Sequence, residues 1–235
     1  MKLFLQHIDV ARFIQIFLVQ GLIGFFFLYI AFRILKRDAK GLSLILSCFY
    51  LSTTIGVIIN IIYAFIYIEM IVFILHFLTY FFLCLSLMFL LIFTLVLMRS
   101  ESIVTKKIQI FLLTIFSIGL LMLLFIPNGI IINETTDWKP EWSWPFLIYS
   151  FLICTSVIIP TIFYSIKLYV KFEHHELKKK WKYFLIGMFA YYFVYYGTSF
   201  SNAFADPTFR MVWSIISLPS LITLYFIYYG VVKQL

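Results

Sequence analysis

The side chains of this chain that could do chemistry are few and scattered. His174 and His175 stand together between Glu173 and Glu176, donors of the right kind for a metal. Neighbours at i and i+1 on a helix point in diverging directions, however, so the group reads as a solvated loop. His76 is the only histidine inside an apolar run, and one histidine builds neither a zinc site nor a nucleophile with its base. No His-Glu-x-x-His signature and no pair of metal-binding carboxylates is present in any apolar run. The residue types therefore predict no catalytic group, no metal and no cofactor: a protein that is not an enzyme. Cys48, Cys84 and Cys154 all fall in apolar runs, where they are expected to pack at helix interfaces rather than staple loops.

What remains is a set of polar and aromatic side chains embedded in apolar sequence. Gln20, Asn60, His76, Tyr80, Tyr196 and Trp213 are the candidate ligand-binding residues, and their types suit hydrogen bonding and stacking with a small amphipathic or aromatic molecule. Tyr192, Tyr196 and Ser199 follow i, i+4, i+7 spacing, so they share one face of a helix that is expected to look inward.

The elements that must carry these residues follow from composition. With 64% hydrophobic and 12% charged residues in 235, the chain lacks the polar surface that a water-soluble globule presents. A bilayer core about 30 Å thick takes roughly 20 apolar helical residues to cross. Such runs occur near 13–32, 42–66, 70–98, 108–127, 146–166, 183–201 and 211–230. Their continuous apolarity favours helices over a barrel, since lipid demands that every backbone polar group be paired. The sequence therefore predicts an all-α integral membrane bundle of seven transmembrane helices, forming a single domain over 1–235. The narrowest break is the turn around Tyr67, Ile68 and Glu69.

Lysine and arginine set the orientation, because positively charged connections stay cytoplasmic. The first connection carries Arg33, Lys36, Arg37 and Lys40; the third Arg99, Lys106 and Lys107; the fifth Lys171, Lys178, Lys179, Lys180 and Lys182. The alternate connections hold almost no net positive charge. The N-terminus is thus expected outside and the C-terminus in the cytoplasm, with the chain spanning the cell membrane repeatedly. On this topology the embedded polar residues lie in the outer half or near the midplane. The net charge of +8 then serves orientation and contact with anionic lipid, and no nucleic-acid partner is expected. The first apolar run is long enough to span and lacks a cleavage site after it, so it is expected to persist as an anchor.

The fourth connection, from Pro127 to Pro145, carries Trp138, Trp142 and Trp144. Tryptophan prefers the headgroup layer, so these are expected to anchor the segment in the membrane, with a lid as the alternative. Asn133-Glu134-Thr135 matches the glycosylation pattern. Pro160 and Pro219 remove hydrogen bonds from helix interiors and are expected to bend their helices.

The last third reads LKKKWKYFLIGMFAYYFVYYG, then SFSNAFADPTFRMVW and LPSLITLYFIYYGVVKQL. A basic segment precedes an apolar helix with Leu185-Ile186-Gly187, and the final helix ends in Tyr228-Tyr229-Gly230. This stretch resembles the seven-transmembrane N-terminal sensor region of prokaryotic histidine kinases and related signalling proteins. The resemblance implies a sensor or receptor-like signalling module. With no kinase region before Leu235, it implies a stand-alone sensor part. Its expected partners are the lipid bilayer, a separate cytoplasmic signalling protein reached through the Lys171–Lys182 loop, and a second copy of the chain. Two other readings compete. A small transporter or channel would show a repeat between the first three and last three spans, and none is evident; Pro160 and Pro219 have no counterparts in the first three. A non-catalytic scaffold subunit would bind a partner without responding to any small molecule.

Overall fold

A computed structural model describes residues 10–100, 102–221 and 226. Seven long helices follow one another: α1 Val10–Arg37, α2 Gly41–Tyr63, α3 Glu69–Arg99, α4 Lys106–Phe125, α5 Trp144–Lys171, α6 His175–Phe204 and α7 Pro207–Ser217. Each begins or runs through the place of one apolar stretch. The described residues are all-α apart from one short hairpin, and α1 to α5 are long and apolar enough to cross a membrane. These helices fit a multi-pass membrane protein, with lipid against their outer faces. At 30 residues α6 has the length but is less apolar, because it starts in the lysines of the fifth connection and carries tyrosines and serines along its body. The second half of the 211–230 stretch lies outside the described residues.

The helices overshoot the apolar runs because basic residues such as Arg37, Arg99 and Lys171 continue the last turns, where cations favour the helix dipole. The break between α2 and α3 is real: Ala64 to Ile68 form a turn before Glu69 restarts the helix. Pro160 sits within an unbroken α5. Pro219 acts differently. It cannot donate to the ladder, and α7 stops at Ser217, with Leu218 N turning back to Ile215 O at 3.1 Å.

Helix α3 is central, packing against α2, α4 and α5; α1 packs on α2, α5 on α6 and α6 on α7. The start of α1 meets α7, so α1, α2, α3, α5, α6 and α7 close a ring, with α4 outside it on α3 and α5. Small residues permit the closest approaches. A Cβ on Gly24 would sit 2.7 Å from Val57 Cγ1, and one on Gly56 would sit 3.0 Å from Leu83 Cγ and Thr79 O. Free sulfurs occupy the α3–α5 interface, where Cys84 and Cys154 Sγ lie 3.4 Å apart.

Two features depart from the sequence reading. Within α1, Ile14–Gln20 is π-helical. Its i→i+5 bonding includes Gly21 N to Ile16 O, which widens the turn. The fourth connection is a built hairpin. Strands β1 Ile130–Ile131 and β2 Glu141–Trp142 pair antiparallel, with Ile130 opposite Trp142. Between them, Asn133 Oδ1 accepts from Thr135 N and Thr136 N, and Asp137 and Trp138 take left-handed backbone (φ 52° and 56°) to turn the chain back. The Asn133 side chain is thereby committed to a cap.

Candidate functional site

Among the described residues, a cavity of about 190 Å³ is lined by α1, α2, α3, α6, α7 and the hairpin. Its deep end is apolar and aromatic, with Phe27, Val57, Leu83, Tyr191 and Tyr195. Higher up come Gln15, Gln20, Asn60 and Thr198. Arg12, Lys139 and Arg210 stand at the end where the hairpin lies.

The π-helical segment explains how one helix supplies both glutamines. Five residues make about 1.4 turns of an α-helix, which would point Gln15 and Gln20 apart. The wider π-turn brings positions five apart back toward one face, and both line the cavity. Gln20 Oε1 accepts from Asn60 Nδ2 of α2, joining two sequence-predicted residues directly. Gln15 Nε2 donates to Thr198 Oγ1 at 3.2 Å, and Gln15 Oε1 accepts from Ser217 Oγ at 3.0 Å. Trp213 Nε1 also donates to Thr198 Oγ1, at 3.2 Å. One threonine on α6 thus ties α1 to α7.

Helix α7 is placed by its own start signal. Ala205 takes a left-handed conformation (φ 54°) to end α6, Asp206 Oδ1 accepts from Phe209 N at 2.6 Å, and Pro207 occupies the first turn, where its missing N–H costs nothing. This two-residue corner puts Arg210 beside the hairpin, where its Nη2 donates to Pro140 O at 2.8 Å.

His76 is buried, 5% exposed, and both ring nitrogens are engaged. Trp142 Nε1 can only donate, so His76 Nε2, 3.1 Å away, must accept. The imidazole proton is therefore on Nδ1, which faces Tyr63 Oη at 3.0 Å. His76 pins the hairpin to the bundle through Trp142, whose ring also meets Tyr80 and Phe146 edge-on. Tyr80 Oη donates to Ser150 Oγ at 2.6 Å and lies 3.1 Å from Tyr195 Oη, closing a hydroxyl cluster between α3, α5 and α6.

Gln20, Asn60, His76, Tyr80 and Trp213 therefore line a single cavity. Tyr196 does not. Its hydroxyl meets Thr155 Oγ1 at 2.6 Å and its ring packs on Phe151, both of α5. The inward face of α6 is instead Gly187, Tyr191, Tyr195, Thr198 and Asn202, one residue round from the Tyr192, Tyr196, Ser199 stripe, although Ser199 reaches the wall as well. Both stripes have helical spacing, and the small Gly187 and Ala190 select the first by leaving room beside it. Tyr191 Oη sits on that face within 2.8 Å of Ser86 Oγ and 3.3 Å of Thr53 Oγ1.

The three tryptophans of the fourth connection do not act alike. Trp142 points inward, 6% exposed; Trp138 packs edge-on against Tyr67; only Trp144, 53% exposed, faces outward. Of the three, Trp144 keeps the outward exposure that anchoring would use, whereas Trp142 and the hairpin form part of the cavity wall. Arg12, Lys139 and Arg210, which also line the cavity, were missed by sequence reasoning.

No protein-family model matches this chain, and no curated protein or solved structure matches it either.

Proposed function

We propose that this protein is a receptor-like sensor of the cell membrane, with seven spans, its N-terminus outside and its C-terminus in the cytoplasm, that binds a small ligand in the ring cavity. The observation that carries this reading is the convergence of embedded polar side chains from five helices on one cavity, where lipid-facing sequence alone would require none. Among the described residues the cavity's lining includes the hairpin and Arg210 near the start of α7, and none of it comes from the basic stretches 33–40, 99–107 or 171–182. A site reached from one side suits sensing better than transport, which needs access from both. Ligand binding would favour one arrangement of α1, α6 and α7, and the Lys171–Lys182 connection, directly continuous with α6, would carry that arrangement to a cytoplasmic partner.

The test is a thermal-shift screen of purified protein in neutral-lipid nanodiscs against small organic molecules, repeated on Asn60→Ala, Tyr195→Phe and Tyr196→Phe. A ligand that binds the folded state raises the melting temperature by mass action. Shifts lost in the first two variants and kept in Tyr196→Phe support the reading. An absence of shifts, or shifts indifferent to the cavity variants, overturns it in favour of a scaffold subunit.

A further inference from the structure

Inward from the hairpin, three helices each bring an uncharged polar side chain to one level of the cavity: Gln20 of α1, Asn60 of α2 and Thr79 of α3. Gln20 and Asn60 are joined directly, Asn60 Nδ2 donating to Gln20 Oε1. Thr79 is held level with Asn60 by its neighbours on either side. His76, one turn back, faces Tyr63, and the Cβ that Gly56 lacks would sit 3.0 Å from both Thr79 O and Leu83 Cγ.

A single hydrogen bond uses only half of what two primary amides offer. Gln20 Nε2 and Asn60 Oδ1 have no partner among the described residues. Turning both amides over exchanges the atoms and still leaves one donor and one acceptor. Asn60 is 4% exposed and shares its helix face with Thr53 and Val57, which also line the cavity, so its remaining atom is turned to that space. The third group is also free. Thr53, Thr54 and Thr161 return their hydroxyls to the carbonyl four residues back, at 3.1, 2.9 and 2.7 Å. Thr79 does not, and its buried Oγ1 has no hydrogen-bond partner among the described residues. A buried hydroxyl in this condition costs free energy until something pairs with it.

The surroundings set the charge and shape of what these atoms can receive. No charged side chain lines the wall from Gln15 to Phe27 of α1, from Asn60 to Thr53 of α2 or from Thr79 to Leu83 of α3. An ion at this level would lose its water with no counter-charge beside it. Away from the hairpin each helix passes from polar to apolar: Gln20 to Ile23 and Phe27, Asn60 to Val57, Thr79 to Leu83. The deeper hydroxyls are already engaged, Thr53 with Phe49 O and Tyr191 with Ser86 Oγ.

Resting on the reading of this cavity as a ligand site, we propose that its ligand is an uncharged primary carboxamide on an apolar body. The carbonyl of the head accepts from Gln20 Nε2, and its two N–H groups donate to Asn60 Oδ1 and Thr79 Oγ1. The apolar body lies toward Phe27, Val57 and Leu83.

The experiment uses the full chain in phosphatidylcholine nanodiscs with three probes of one shape that differ only in the head, read by melting temperature and tryptophan fluorescence. They are para-butylbenzamide, which donates and accepts, para-butylacetophenone, which only accepts, and the charged para-butylbenzoate. The benzamide is expected to bind on the order of tenfold more tightly than either of the others, the effect of a buried hydrogen bond left unmade. Combining Gln20→Leu with Asn60→Leu removes both partners together and strands neither, so the fold should hold and the acetophenone should then bind at least as well as the benzamide. Thr79→Val keeps the side chain's shape. It should leave the melting temperature of the ligand-free protein unchanged or raised while weakening the benzamide several-fold, and undiminished benzamide binding in this variant overturns the proposal. Equal binding of all three probes, lost when Val194→Trp plugs the cavity, overturns the carboxamide head while leaving a ligand site. The ranking of the three probes on the parent protein decides the matter should the double variant fail to fold. Binding of none of them overturns the proposal, and the broader screen then decides the ligand site independently.

Discussion

His76 shows how a residue chosen for its polarity can serve the site through another residue. Both its nitrogens are spent, one accepting from Trp142 and one facing Tyr63, so it is a positioning residue for the hairpin. His76→Ala strands a buried indole N–H and a phenol, at about 1–3 kcal/mol for each group left unpaired. The expected outcome is a clear drop in melting temperature together with a red shift of Trp142 emission, read as the difference spectrum against Trp142→Phe. Gly197 is a second single-residue determinant. A Cβ there would overlap the six-membered ring of Trp213. Gly197→Ala should displace Trp213 from Thr198 at about 1–3 kcal/mol, the usual cost of overpacking, and a fluorescence change at Trp213 with a lowered melting temperature checks it. Gln20, Asn60, Tyr80 and Trp213 were legible because polar groups in apolar runs must find partners. Arg12 and Arg210 were not: charges at the ends of runs are ordinarily solvated, and only the fold turns these two inward. Tyr196 was misread because spacing identifies a stripe without saying which neighbour it meets.

At the scale of elements, the apolar runs fall on the long helices of the described residues, five of which are long and apolar enough to cross a membrane, since the hydrophobic length needed to cross lipid is a coarse and robust signal. The π-turn was invisible because nothing in Ile14–Gln20 distinguishes it from α-helix; it is set by Gln15 and Gln20 both seeking partners on one side. This makes an asymmetric prediction. A π-turn amounts to about one residue more than α-helical winding requires. Deleting Leu18, which is 40% exposed, should leave Gln15 and Gln20 four apart on a plain α-helix, still on one face, with melting temperature and cavity binding nearly unchanged. Inserting an alanine after Leu18 should turn Gln15 away and lower both. Equal damage from the two changes would show that the wide turn itself is needed. The hairpin was also illegible, because two-residue strands leave no alternating pattern to read.

For the whole molecule, the distribution of basic connections supports one orientation, and it is directly testable. Glu134 in the hairpin turn and Lys179 in the first turns of α6 are both exposed. In intact cells a membrane-impermeant maleimide is expected to label Glu134→Cys and to spare Lys179→Cys until the membrane is opened, on a background lacking Cys48, the half-buried native thiol. The opposite pattern would invert the topology and move the cavity to the cytoplasmic face. Helix α4 stands apart in this architecture. Ile110, Phe111, Ile115 and Phe125 on its outer face are 53–78% exposed, so this side offers the bundle's broadest contact with lipid or with a second copy.

The meeting of α1 and α7 has a consequence for biogenesis. Gln15 of α1 is synthesised well before its partners Thr198 and Ser217, which are 183 and 202 residues further along the chain. A ribosome adding roughly 5–20 residues each second needs on the order of 10–40 s to supply them. Throughout that interval the first helix carries an amide into lipid with its final partners still unmade. The nascent chain is therefore a substrate for whatever insertase or chaperone shields polar groups in the bilayer, and the cavity is complete only once α7 has been made.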